Sequence, residues 1–250
     1  MQQPFESVWT RPPRTAKSPT LSRGQIVRAA MELLDAEGVD ALSMRRLGAK
    51  LGSGATSLYW HVANKDELLE LVMDEVYGEV PLPDPELSGW QDAAVRFAYG
   101  LREALLKHPW AIPLISTRPS IGPNAMRLST RMAATFEQAG FTGMTLDYAS
   151  TALLSHVLGA ITPEIAWRTM AARSGLSDEE LATALHQTVH RAAHDHPELL
   201  ERHGRYTAQD RDVVHAVSFD FGLTCLLDGM KVRLEHDAPP TAPSQKSRRT

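Results

Sequence analysis

The sequence predicts an all-α fold, an N-terminal three-helix unit followed by a larger helical body, on three observations. Apolar residues recur at helical spacing from Ile26 almost to the C-terminus. Ser, Thr or Asn precedes most of those runs, and Gly or Pro follows them. No segment shows the apolar–polar alternation of a half-buried strand. With 250 residues, 43% hydrophobic and 22% charged, the chain can bury a sizeable core in one or two domains.

Residues 1–20, which include Arg11, Arg14 and Lys17, lack periodicity and are expected to form a flexible basic arm. Ser22 is the expected N-cap of a first helix carrying Ile26, Ala29, Ala30, Leu33 and Leu34, stopped by Gly38. Ser43 opens a second, short helix with Met44, Leu47 and Leu51 inside, ended by Gly52-Ser53-Gly54; a third, Ala55 to His61, follows at once. Two short helices across a tight Gly-containing turn are the signature of a helix-turn-helix. Asn64 then caps a longer helix through Leu68, Leu69, Val72, Met73 and Val76 that closes at Gly78, so residues 21–78 form the expected head.

Pro81, Pro83 and Pro85 cannot continue a helix and mark the boundary to a body at 79–236. There, Ser88 starts a helix through Val95, Phe97, Leu101 and Leu105 that stops at His108-Pro109. A short piece, Trp110 to Ser116, precedes a Pro-Gly loop, and Asn124 to Ala139 is the next helix. Thr145 starts a long one to about Ala172, with a kink expected at Pro163. Ser177-Asp-Glu-Glu180 is a capping box for a helix reaching His196-Pro197. Thr207 begins the last, with Val213, Val214, Val217, Phe221, Leu226 and Leu227; residues 237–250, rich in Pro, Ser and Arg, read as a disordered tail.

Charge divides the chain in two. Residues 1–65 hold nine Lys and Arg against five Asp and Glu, so the remainder carries -8 of the total -4. A basic head tolerates phosphates that an acidic body repels. No apolar run approaches the roughly 20 residues of a bilayer span, and the single cysteine, Cys225, suits a reducing compartment, so a cytoplasmic location without membrane contact is expected. Gly-x-Ser-x-Gly, phosphate-loop and His-Glu-x-x-His patterns are missing from the sequence, which disfavours an enzyme, and no cofactor is expected. His186, His190 and His194 recur at four-residue spacing, but only neighbouring pairs can bite one ion, and a solvated polar stripe is the default, with no metal expected.

The stretch from Ser43 to Lys65 carries the function. Tyr59, Trp60 and His61 are consecutive on a short helix and cannot all face one core. Either they join Thr56, Ser57 and Lys65 in a donor-rich surface suited to phosphates and base edges, or Leu58, Trp60 and Val62 pack inward and the rest is solvated. The run Leu58-Tyr59-Trp60-His61-Val62, with Lys65 and Leu68-Leu69 following and Leu47, Gly48, Leu51 and Gly52 in register, resembles the head of the tetracycline repressor family over about residues 22–76.

The resemblance implies that Arg45 reaches a guanine edge or phosphate, that Ala55, Thr56 and Ser57 enter the major groove, and that Tyr59, His61 and Lys65 hold the backbone, with Trp60 shared between packing and DNA. Gly54 and Ala55 depart from the longer residues of the tetracycline repressor itself, which implies a different operator. The resemblance further implies a homodimer, paired through segments 149–161 and 213–227, that binds a palindromic operator in double-stranded DNA. A small-molecule inducer would release it by changing the head spacing. The pocket is expected between the helices starting at Ser88, Asn124 and Thr145, lined by Trp90, Phe97, Trp110, Met126, Phe136, His156 and Trp167, each of which also suits a plain core. The alternatives are a non-specific architectural DNA-binding protein or, further off, a helical enzyme.

Overall fold

In the computed structural model, residues 7–10, 21–82, 84, 86, 89–115, 117–207 and 210–237 are described; side chains at Ala55, His203, Tyr206, Thr207 and Asp237 lie outside that set. The described residues form helices and turns with no strand.

The head comprises α1 (Arg23–Glu37), α2 (Met44–Lys50), α3 (Ala55–Leu58) and α4 (Lys65–Gly78). Its starts are set by local hydrogen bonds. The Ser22 hydroxyl accepts from Gln25 N while the Gln25 side chain accepts from Ser22 N; Ser43 accepts from Arg46 N and Asn64 from Glu67 N. Ile26, Ala30, Leu34, Leu47, Leu58, Val62, Leu68 and Val72 are fully buried between these helices. The third helix is shorter than its spacing predicts. It ends at Leu58 and the chain continues in turns to Val62, because Ala63 N is claimed by the Glu67 carboxylate at 2.7 Å so that Asn64 can cap α4.

The body comprises α5 (Trp90–Lys107), α6 (Ile112–Ile115), α7 (Pro123–Ala139), α8 (Met144–Ser174), α9 (Asp178–Ala192), α10 (Pro197–Thr207) and α11 (Arg211–Asp237). α8 is the axle: α5 and α7 pack on it, and α11 lies along its other side, enclosing Leu153, Val157, Ile161, Phe219 and Leu223. α8 runs continuously through Pro163.

Three expectations need correction and one a qualification. The segment 197–207 is itself a helix, entered through Pro197, so the last helix starts later, at Arg211, where Asp210 receives the N–H groups of Asp212 and Val213. α9 stops at Ala192 rather than reaching Pro197, which takes His194 off the helical ladder. α11 is apolar and long enough to cross a bilayer by length and composition although no uninterrupted apolar run marks it in the sequence, because one of its faces is core and the other is apolar yet uncovered. Finally, Ser7 to Thr10, part of the expected flexible arm, is a turn docked on α4: Ser7 Oγ and Val8 N both donate to Glu70, and Val8 is buried. The rest of the arm and residues 238–250 lie outside the described residues.

Head and body share one continuous core. At their joint the buried His108 imidazole bridges Asp35 of α1 (Nδ1, 2.6 Å) and Glu79 beyond α4 (Nε2, 3.2 Å), and Trp110 Nε1 donates to the same Asp35 oxygen at 2.6 Å. Burial works to raise the Glu79 carboxyl, but hydrogen bonds and charge from Lys107 and His108 outweigh it and hold it below its ordinary range. Gly100 lets Pro81 lie directly against α5; a Cβ there would overlap the proline ring.

Candidate nucleic-acid interface and effector cavity

One face of the head is exposed and rich in hydrogen-bond donors. Leu58 and Val62 turn inward and are fully buried, which leaves Thr56 and Ser57 exposed with Tyr59 and Trp60 at 45% and 56% accessibility. Of the two packing patterns open from sequence, the inward one therefore holds for Leu58 and Val62 but not for Trp60. His61 is half-buried. Arg45, on the outer face of α2, is exposed and has no ion pair among the described residues, whereas its neighbour Arg46 is held bidentately by Glu37 and Lys50 by Glu32. Lys65 donates to the Val39 carbonyl at 2.9 Å, which fixes its ammonium at the turn between α1 and α2 and leaves two of its N–H donors uncommitted among the described residues. The Ala55 side chain is outside the described residues. Exposed hydroxyls, an aromatic pair and a fixed ammonium on one turn-helix surface match the donors that phosphates and major-groove edges require.

Behind the head lies a cavity of about 460 Å³, within the size range of small-molecule sites. Phe97 and Leu101 of α5, Leu128 and Met132 of α7, and Leu146 and Leu154 of α8 form its apolar wall. Polar groups come from Ser129 of α7, from Asp147, Ser150 and Thr151 of α8, and from Tyr77, Arg118 and Ser120 where α4 meets the loop before α7. The Tyr77 hydroxyl shares a hydrogen bond with Ser120 at 2.7 Å; burial, with some help from the Asp74 charge, raises the phenol above its ordinary range. Arg118 reaches from the cavity wall to Asp66 in the first turn of α4 (Nη2 to Oδ1, 2.7 Å).

Of the seven side chains expected to line the pocket, only Phe97 does. Trp90 and Phe136 pack against each other and Phe141 as core; Trp110 is the head–body joint; Met126 is exposed. His156 bonds the Phe219 carbonyl, and Trp167 bonds Asp178 beneath the Arg211 guanidinium. Apart from Phe97 and Tyr77, the large rings named here fill the core of the body, and most of the cavity wall is smaller aliphatic and hydroxyl side chains. Arg118, Ser120 and Asp147 carried no periodic or motif signal. His186 and His190 remain paired on α9 with ring centroids 5.9 Å apart, without the third histidine.

A helix-turn-helix head that shares one helix with a helical body carrying a half-open cavity is the plan of a DNA-binding regulator. Two family models match: the tetracyclin repressor-like C-terminal domain over residues 82–234, and the bacterial regulatory proteins of the tetR family over residues 26–72. The chain belongs to the tetracycline repressor family of transcriptional regulators and is not an enzyme. It is 39% identical to an HTH-type transcriptional regulator of Saccharopolyspora erythraea, across 90% of this chain and 91% of that one. It is 31% identical to the HTH-type transcriptional repressor DrrR1 of Streptomyces coeruleorubidus, across 96% and 88%. Among solved structures, apo ActR of Streptomyces coelicolor superposes with a TM-score of 0.72 at 30% identity, covering 88% of this chain and all of ActR. ActR has also been solved with actinorhodin, and that complex has a TM-score of 0.69.

Proposed function

We propose that the protein is a cytoplasmic, homodimeric repressor that binds a two-fold operator through α2 and α3 and leaves it when a small molecule fills the cavity. The observation that carries this reading is the shared helix: α4 begins directly behind the reading surface at Lys65 and ends in the cavity wall at Tyr77. A ligand that displaces one end of α4 tilts the other, and a change of a few ångströms in head spacing breaks the register of two half-sites. Tyr59, His61 and Lys65 hold phosphates, Arg45, Thr56 and Ser57 face the bases, and Ala55 stands at the start of the reading helix. Trp60 adds contact at the rim. DrrR1 is called a repressor and ActR binds actinorhodin, which supports both halves of the assignment.

Dimerisation is supported by α11. Val213, Val217, Phe221 and Val232 are exposed along one stripe while Phe219, Leu223, Leu227 and Met230 pack on α8. An uncovered apolar stripe on a helix this long fits a mate across a two-fold axis.

The test is fluorescence anisotropy with the duplex immediately upstream of the gene, against a scrambled duplex at the same salt. A preference on the order of a thousandfold, abolished by Tyr59→Ala, is expected. Equal binding to both duplexes by the wild type would remove the specific-repressor reading.

A further inference from the structure

We infer that the effector is an aromatic or otherwise apolar molecule carrying an acidic group, and that Arg118 is the residue that reads the acid. This rests on the effector reading above and narrows it to a chemical class.

Arg118 is the only Lys or Arg among the residues lining the cavity. Its guanidinium is committed on one side only: Nη2 meets Asp66 Oδ1 at 2.7 Å, and Nη1 reaches the Asp66 carbonyl at 3.5 Å. Nε is sealed from solvent and has no hydrogen-bond partner among the described residues. A buried N–H without an acceptor is costly, and a planar guanidinium donates bidentately to a carboxylate, so an acid in the cavity that draws the Arg118 side chain toward it gives Nε the acceptor it lacks. Tyr77 and Ser120, hydrogen-bonded beside it, offer further hydroxyls to the same group. The other charged lining residue, Asp147, repels an anion and so directs the acid toward Arg118, while itself accepting from ligand hydroxyls.

Asp66 is the competitor. It is the acidic residue after Lys65 in the first turn of α4, and its own side chain is largely exposed. A ligand acid that draws Arg118 toward the cavity weakens the tie holding the start of α4 against the loop before α7. Ligand binding and head position are then coupled through one ion pair, and the coupling is reciprocal.

The experiment titrates the full-length protein with anthracene-2-carboxylate and with anthracene-2-carboxamide, which share a fluorescent ring system and differ in charge. Wild type is expected to bind the acid at least ~10-fold more tightly than the amide. Arg118→Gln should abolish that preference, and Arg118→Lys should keep part of it. Asp66→Asn, which frees Arg118, should raise the acid-to-amide ratio several-fold; this variant decides the matter if Arg118→Gln does not fold. Equal affinity for the two probes in wild type, a preference that survives Arg118→Gln, or a ratio untouched by Asp66→Asn overturns the inference, as does failure of both probes to bind. Release of the upstream duplex, followed in parallel, separates the two readings. If both probes release it equally, the effector cavity stands and only the acid class falls.

Discussion

The carboxylate of Asp74 on α4 accepts a hydrogen bond from the backbone N–H of Ala125 in the first turn of α7, at 3.0 Å, and a second from Asn124 N at 3.2 Å. The Asn124 amide returns a bond to the Asp74 carbonyl. Asp74 is thus a helix cap supplied by a neighbouring helix, buried at the point where the cavity-bearing body grips the helix that enters the head.

Asp74→Ala should therefore destabilise the protein by about 1–3 kcal/mol, the range for orphaning buried donors at a helix N-terminus. Gly122→Ala should be at least as damaging, because a Cβ there would overlap the Asp74 carboxylate. Urea unfolding of both variants checks this. Stabilities equal to wild type would mean that α7 finds its cap elsewhere.

The proposed reading surface makes a different demand. Lys65 is held by Val39, so its charge is placed without reference to sequence. Lys65→Ala should weaken binding to operator and scrambled duplexes alike and lower the salt slope by about 0.9, one phosphate contact. Thr56→Val, at an exposed position of α3, should instead change which duplex is preferred and leave the slope alone. Titrations across a series of salt concentrations with both duplexes distinguish the two outcomes.

These roles were unevenly legible beforehand. Ser22, Ser43, Asn64 and Ser177 cap their helices as read, because a cap is made with a neighbour three residues away. The exposure of Tyr59 and Trp60 was legible for a similar reason: Tyr59, Trp60 and His61 crowd one short element, and burial of Leu58 and Val62 turns Tyr59 and Trp60 outward. The cavity was not. Trp90, Phe136 and Trp167 were chosen for their rings, and rings of that size fill the core. Arg118 and Asp66 are 52 residues apart, and Trp110 and Asp35 75 apart, so neither partnership leaves a local pattern.

Glu79 gives the head–body joint a pH dependence of known sign. Its carboxyl is held below its ordinary value of 4.5, burial being outweighed by Lys107 and His108. The folded state binds the proton less readily than the unfolded chain, so this contribution is present above about pH 4.5 and fades as pH falls through the lower folded value. The Glu79 side chain is 33% exposed, so the effect is at the level of a partly screened ion pair. Thermal melts of wild type and Glu79→Gln should differ at pH 7 and converge in acid. A gap that widens in acid would show the opposite linkage.

The α11 stripe should hold the proposed dimer together. Phe221 is 71% accessible in the isolated chain, and burying it against a mate contributes about 2 kcal/mol per copy. Phe221→Glu places a carboxylate in that position and, by the two-fold axis, a second one in the mate, so that both desolvation and like-charge repulsion oppose pairing. Light scattering should move from twice the chain mass of 27.6 kDa to a single chain, while circular dichroism stays helical because Phe221 faces away from Phe219 and the α8 core. Operator affinity should fall with it, since one reading head spans a single half-site. A variant that remains dimeric would move the interface off α11; a variant that is monomeric yet keeps full operator preference would detach DNA recognition from two-fold pairing altogether.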